Sequence, residues 1–371
     1  MTSSSTRTAS VGGSDPSFRN LRTFEYDAVS TSAANVDNGL SAVRLKVFET
    51  IDAYASVFRG DGMAWNWSEA KTALERPYTE AVVVFQSGFA ANAGTVSAIL
   101  TKEDAIISDA LNHASIIDGA RLSKATIKVF PHKDVDACRN ILKELPASQR
   151  KLLITDGVFS MDGDLGALPA LCDLAEEFGC IMMVDDAHAS GVFGKNGRGT
   201  VDHFKMHGRV DIQVGTLSKA MGALGGYVAG SAALIDFLYH RARPFLFSTS
   251  HPPSVAATCI AAVDVLEKEP EIIERLWDNT RFFKKGLESL GFDTGLSQSP
   301  ITPVIAGEGS RAMKLSDRLF EEGVFAQGIA FPTVARDKAR VRTIVTATHT
   351  KDELQFALDK FRKVGSELGL I

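Results

Sequence analysis

Lys219 stands in the stretch "TLSKAMGALGG" (216–226), among residues with almost no side chains. The nearest carboxylate before it is Asp211, and none follows within ten residues. A single loop lysine is ordinarily a solvated charge. Shielded from water and set near a cationic ring, a lysine instead has a lowered pKa and can form a Schiff base with a carbonyl. Its small neighbours leave room for a flat ligand, and Thr216 and Ser218 beside it are candidate phosphate donors.

Other chemistry-bearing residues follow short apolar runs in the same way. "IMMVDDAHASG" delivers Asp185, Asp186 and His188 at the end of one such run. A carboxylate emerging from a buried strand needs a cationic partner. A protonated pyridine nitrogen would serve, with His188 reaching a neighbouring oxygen of the same ring; a structural Asp–Arg pair is the plainer alternative. After "AVVVF" comes "QSGFAANAG", where Ser87, Gly88 and Phe89 open a helix whose N–H groups and dipole suit a phosphate. Taken alone, the stretch is more often plain helix capping by Ser87 and Gly88. "DALNHASI" places His113 just past a strand, as a cap or as an imidazole lying flat on a ligand ring, and "DGVFSMDGD" brings Ser160 into a turn. A phosphate site, a stacking histidine, a carboxylate for a ring nitrogen and a Schiff-base lysine together describe one ligand, pyridoxal phosphate.

The elements that must position these residues are legible as alternation. Apolar runs at 81–85, 105–108, 126–130, 152–155, 180–184, 211–214 and 226–230 are separated by helical patterns such as "ALPALCDLAEEFG" (167–179). Strands apolar throughout predict a mostly parallel sheet covered on both faces, with ligands beyond its carboxyl ends. From Pro252 the texture changes to helices at about 253–268 and 270–290, "ITPVIAG" (301–307), a helix at 311–322 and a final one at 351–368. This divides the chain into an atypical N-terminal segment (1–66), a large ligand-binding domain (67–250) and a connecting helix with a smaller C-terminal α/β domain (251–371).

Composition narrows the function classes. The 371 residues are 45% hydrophobic and 23% charged, with a net charge of −5 and no basic cluster to suit nucleic acid. No apolar run approaches the roughly 18–20 residues of a membrane span, and "MTSSSTRTASVGGSDPS" lacks a signal-peptide core. Four dispersed cysteines fit a reduced, cytoplasmic protein. His203 and His207 have a spacing that can bind metal on a helix, but no third ligand is near, so no metal is expected.

With these residues in place, the chain closely resembles the α-oxoamine synthases, fold-type-I pyridoxal-phosphate enzymes that condense an amino acid with an acyl-CoA. The resemblance runs from about Thr79 to Ile371 and rests on "SGFAANAG", "SDALNHASIIDGARLS", "DGVFSMDGD", "VDDAHASGVFG", "GTLSKAMGALGG" and "FSTSHPP". It implies a large domain with a mostly parallel seven-stranded sheet flanked by helices, plus a smaller C-terminal domain. It makes Lys219 the Schiff-base lysine and the acid/base at the substrate α-carbon. His113 stacks on the ring, Asp185 pairs with its nitrogen, and His188 and Ser160 hold the phenolic oxygen. Gly88, Phe89 and Thr216 bind phosphate, with Ser87 and Ser218 beside them. Ser248 and Thr249 reach the phosphate of the other subunit of a homodimer, and Arg342 grips the amino-acid carboxylate.

Within the family, "SDALNHASIIDGARLSKA" and "VFAQGIAFPTVARDKARVRT" look most like the glycine C-acetyltransferases. The expectation is therefore condensation of glycine with acetyl-CoA to 2-amino-3-oxobutyrate, in threonine catabolism. The 8-amino-7-oxononanoate synthases, which use L-alanine and pimeloyl-CoA and decarboxylate the product, are the alternative. A non-catalytic synthase subunit is a third reading, because residues 1–78 lack the family's Asn-Tyr-Leu-Gly-type stretch, its Gly-rich loop and its HxxLE helix.

Overall fold

The structure, a computed structural model, describes residues 80–371. The expected segment 1–66 and the helix expected in "WSEAKTALERP" lie outside the described residues.

Seven short strands form the main sheet: β1 (Ala81–Phe85), β2 (Ala105–Asp109), β3 (Thr126–Phe130), β4 (Lys151–Asp156), β5 (Ile181–Asp185), β6 (Ile212–Thr216) and β7 (Gly226–Gly230). Their order is β1-β7-β6-β5-β4-β2-β3. Only β7 runs against its neighbours β1 and β6; the other pairings are parallel. The expected mostly parallel sheet is therefore present, and its strands match the apolar runs to within a residue or two.

Successive side chains of a strand face opposite ways, and both faces are apolar here. Ile106, Leu152, Ile154 and Met183 enter one core, against helices α1 (Gly88–Ile99), α2 (Ala114–Ser123) and α6 (Ala232–Arg241). Ile107, Leu153, Met182 and Val184 enter the other, against α3 (Val135–Glu144) and α4 (Leu168–Phe178). Each such fully buried side chain stabilises the fold by about 1.5–3 kcal/mol, and truncating Leu153 to Ala would cost roughly 2–5 kcal/mol. Gly179 ends α4 in the left-handed conformation, φ 63°, as its sequence position promised.

After the short helices α5 (Thr200–His203) and α7 (Arg243–Leu246), α8 (Pro253–Lys268) and α9 (Glu271–Ser289) lead into a second sheet. Its strands are β8 (Ile301–Gly307), β9 (Gln327–Ile329) and β10 (Ala339–Ile344), all antiparallel in the order β8-β10-β9. With α10 (Gly309–Glu321) and α11 (Lys351–Glu367) it encloses a separate core around Phe283, Leu315, Val341 and Phe361. Strand β10 meets the large sheet's loop 157–166 through two arginines. Arg340 Nη1 donates to Asp162 Oδ1 at 2.5 Å and to the Met161 carbonyl at 3.0 Å, and Arg342 Nη1 donates to the Ser160 carbonyl at 2.9 Å. Among the described residues, no helix is long and apolar enough to cross a membrane.

Candidate active site

Every parallel strand of the large sheet ends on the same side, and the expected residues lie just past those ends: Ser87–Phe89 after β1, His113 after β2, Ser160 after β4, Asp185 and His188 at β5, Thr216 to Lys219 at β6. The topology alone thus gathers residues scattered over more than a hundred positions.

The anion end is built by close backbone approach. Ser87 caps α1, its Oγ accepting from Ala90 N at 3.0 Å, and the Ser87 carbonyl accepts from Ala91 N. The N–H groups of Gly88 and Phe89 are left without a partner among the described residues. A Cβ on Gly226 would lie 2.5 Å from Gly88 N, and one on Gly88 would lie 3.2 Å from Thr216 Cβ. Thr216 Oγ1 sits 2.9 Å from Ser218 Oγ and donates to the Gly225 carbonyl at 3.1 Å. Two free N–H groups at a helix start, with hydroxyls beside them, form a cradle sized for a phosphate.

The turn between β6 and β7 carries Lys219. Leu217 N donates to Gly225 O and Ala223 N to Leu217 O, closing it across its base. Lys219 is an exposed residue, yet protein surrounds its amine on most sides. That desolvation is the largest influence on its amine and lowers its pKa; Asp185 and Asp156 oppose the fall, and Arg342 adds to it. A lysine so placed has more of the neutral, nucleophilic amine than a surface lysine has.

Asp185 is buried and held on both oxygens, Oδ1 by Ala187 N at 2.8 Å and Oδ2 by Asn92 Nδ2 at 2.5 Å. His113 caps α2, with its N–H donating to Asp156 Oδ2 at 2.9 Å. Burial lowers the His113 pKa, Asp185 opposing and Lys219 assisting. His188 is driven well below the usual histidine value by burial, then by Lys219, Arg342 and His113. Both imidazoles are therefore neutral where a cationic ring would lie.

Arg342 reaches the site from β10. Nη1 is spent on the Ser160 carbonyl, while Nε is buried and has no partner among the described residues. Burial lowers this guanidinium's pKa. An orphaned buried donor on a guanidinium is an open position for a carboxylate. Ser160 enters through its carbonyl, and its hydroxyl makes no hydrogen bond among the described residues. The carbonyls of Ser248 and Thr249 both accept from Gln86 Nε2 of the same chain.

Sequence reasoning passed over Asn92, Ser115 and Asp156. Asn92 lies inside the quoted "SGFAANAG" but in a helix interior, where no motif marks it. Asp156 ends an apolar strand just as Asp185 does, and that parallel is the signal that points to it. Asp186 serves structure instead: Thr200 N donates to its Oδ2 at 2.8 Å and the Thr200 hydroxyl to its Oδ1. His203 packs on Phe193 and Phe204, His207 pairs with Asp202, and no metal-binding cluster exists among the described residues.

The residues present fit pyridoxal phosphate. The free N–H groups of Gly88 and Phe89 would hold the phosphate, Lys219 the aldehyde carbon and Asp185 the ring nitrogen, and the open Nε of Arg342 would take the substrate carboxylate.

Comparison with known proteins supports pyridoxal phosphate as the cofactor. The family model described as aminotransferase class I and II matches residues 69–361. The chain is 63% identical over 307 residues to an 8-amino-7-oxononanoate synthase of Symbiobacterium thermophilum, spanning 82% of this chain and 78% of that one. A second protein of that name, from Thermoanaerobacter pseudethanolicus, is 58% identical over 293 residues, 79% of this chain and 74% of its own. Among solved structures, a serine palmitoyltransferase from S. paucimobilis with bound PLP superposes with a TM-score of 0.77 at 32% identity, covering 89% of this chain and 85% of that one. Six further relatives, 54 to 58% identical, also carry the name 8-amino-7-oxononanoate synthase. These relatives overturn the expectation of a glycine C-acetyltransferase, and with it glycine, acetyl-CoA and threonine catabolism. Both reactions call on the same catalytic residue types, so the motifs that revealed the site could not discriminate the acyl group.

Proposed function

The chain belongs to the class I and II aminotransferase family, in its pyridoxal-phosphate-dependent α-oxoamine synthase branch, and on that premise we propose that it is an 8-amino-7-oxononanoate synthase. It would join L-alanine to pimeloyl-CoA, releasing CoA and carbon dioxide. The observation that carries this reading is the uniform naming of relatives 54 to 63% identical over about four fifths of the chain.

Pyridoxal phosphate, when bound, supplies an electron-withdrawing ring that accepts the charge left as a bond to the substrate α-carbon breaks. The chain's own residues do the rest. Arg342 binds the alanine carboxylate through its open Nε, which fixes the α-carbon relative to the cleft. Lys219, with its pKa lowered, is the base that takes the α-proton and later returns one. Asp185, fixed by Asn92 and Ala187, would pair with the ring nitrogen. Neutral His113 and His188 add no positive charge to oppose it. The reading includes a homodimer in which Ser248 and Thr249 approach the partner's phosphate site.

The deciding experiment measures CoA release by the purified protein loaded with pyridoxal phosphate. L-Alanine with pimeloyl-CoA is expected to support turnover, and glycine with acetyl-CoA to support at most a small fraction of it. Preference for the second pair, or turnover unchanged in Lys219→Ala, would sink the assignment.

A further inference from the structure

Two buried side chains that the reaction does not itself call on connect Asp185 to His113. Asn92, on α1, is 1% exposed, and its Nδ2 donates to Asp185 Oδ2 at 2.5 Å and to Ser115 Oγ at 3.0 Å. Ser115, in the first turn of α2 and equally buried, places its Oγ 2.7 Å from His113 Nδ1. Its backbone N–H also donates to that Nδ1, at 3.2 Å. The two helices come close enough for this because of Gly119, where a Cβ would lie 3.0 Å from Ala93 Cα and 3.1 Å from the Asn92 carbonyl.

The hydrogens of this chain satisfy every contact in one arrangement. A backbone N–H aimed at Nδ1 requires a lone pair there, so the ring proton belongs on Nε2. Ser115 Oγ already accepts from Asn92 and has its own hydrogen to give, which also goes to Nδ1. A proton on Nδ1 would face the Ser115 N–H and lose that contact, keeping only the one to Ser115 Oγ, whose second lone pair could accept it. Charged groups acting on the ring are Asp185, which favours protonation, and Lys219, which disfavours it.

We propose that Asn92 and Ser115 are positioning residues forming one hydrogen-bond relay that fixes the Asp185 carboxylate and locks His113 as the neutral Nε2–H tautomer. An imidazolium stacked on a protonated pyridine ring would repel it and weaken its pairing with Asp185. The relay removes that competition before any ligand arrives. This rests on the reading of the site as one for pyridoxal phosphate, but the tautomer itself does not depend on it.

The test uses full-length protein carrying 15N-labelled histidine, with and without pyridoxal phosphate, the His113 signal being assigned by its loss in His113→Gln. Wild type and Ser115→Thr are expected to show the Nε2–H form in both states. Ser115→Ala, which loses a single hydroxyl, and Asn92→Ala are expected to show mixed tautomers and to bind pyridoxal phosphate about tenfold more weakly, the effect of one buried hydrogen bond. Retention of the pure Nε2–H form by folded Ser115→Ala and Asn92→Ala overturns the relay. If even wild type binds no pyridoxal phosphate, the cofactor reading fails, and the tautomer measurement still decides the relay.

Discussion

Asp156 and Asp185 are register partners at the ends of adjacent strands β4 and β5, so two buried carboxylates finish their strands side by side. Neighbouring strands lie about 4.8 Å apart, and two like charges at that spacing in a dry site are strongly unfavourable. Burial, followed by repulsion from Asp185, pushes the Asp156 pKa well above the usual carboxylate range. Asp185 differs in its surroundings, with one oxygen held by Asn92 Nδ2 and the other by Ala187 N.

A pH dependence follows from that asymmetry. A carboxyl group whose folded pKa is raised binds its proton more tightly in the native state. Its contribution is full below the unfolded value and is lost as pH rises toward the folded one. Asp186, raised to about 7 by burial, acts in the same direction. The apoprotein's Tm is expected to fall between about pH 4 and 7, and the fall should be shallower in Asp156→Asn, which stays neutral. Parallel Tm–pH curves for the two proteins would show that Asp156 is not the protonated partner.

Arg342 uses one nitrogen on Ser160 and keeps Nε open. Lysine has neither the fork nor a second fixed donor. Arg342→Lys is expected to raise the KM for the amino acid by about 10–100-fold, equivalent to losing one charge-assisted hydrogen bond. The KM for the acyl-CoA and the visible absorbance of the bound cofactor should change little. An equal loss on both substrates would place Arg342 in a structural role.

Much of this site was legible because strands apolar on both faces announce a parallel sheet, and such a sheet puts its ligand beyond the carboxyl ends. Lys219, Asp185, His188 and His113 are visible for that reason: each is a polar residue where an apolar strand stops. Asn92 escaped because its signal is a contact between two helices, set by Gly119, and helix–helix distance is not written in local periodicity. The acyl preference escaped for a different reason. A pocket for an acyl chain is made of apolar side chains with no motif of their own, while the residues doing the chemistry are the same whichever thioester arrives.

Gly226 tests the phosphate cradle without replacing a polar side chain. A Cβ there meets the Gly88 backbone nitrogen at 2.5 Å, so α1 must move away from β7. Gly226→Ala is expected to weaken pyridoxal-phosphate binding by at least about tenfold, by misaligning the Gly88 and Phe89 N–H groups. Fluorescence titration of the apoprotein measures this. Unchanged affinity would move the phosphate site elsewhere.

His132 is wedged between two acids, with Nδ1 2.9 Å from Asp109 Oδ1 and Nε2 3.0 Å from Asp164 Oδ2. Burial alone would lower its pKa, but hydrogen bonds to both carboxylates outweigh burial and hold it at about 9. Asp164 belongs to the loop that receives Arg340 and Arg342, so this ion pair fastens the far end of that loop to the sheet edge at β3. A folded pKa above the unfolded value of 6.5 means the pair's contribution is complete below about pH 6.5 and is lost as pH rises through about 9. At 1.36 kcal/mol per pKa unit, that contribution is on the order of 3 kcal/mol at most. Urea unfolding of His132→Gln is therefore expected to show a stability deficit of about 2–3 kcal/mol near pH 6 that shrinks markedly by about pH 9.5. The ring also meets Phe159 edge-on, with centroids 4.3 Å apart. A deficit equal at both pH values would assign His132 to that packing and remove the charge from the argument.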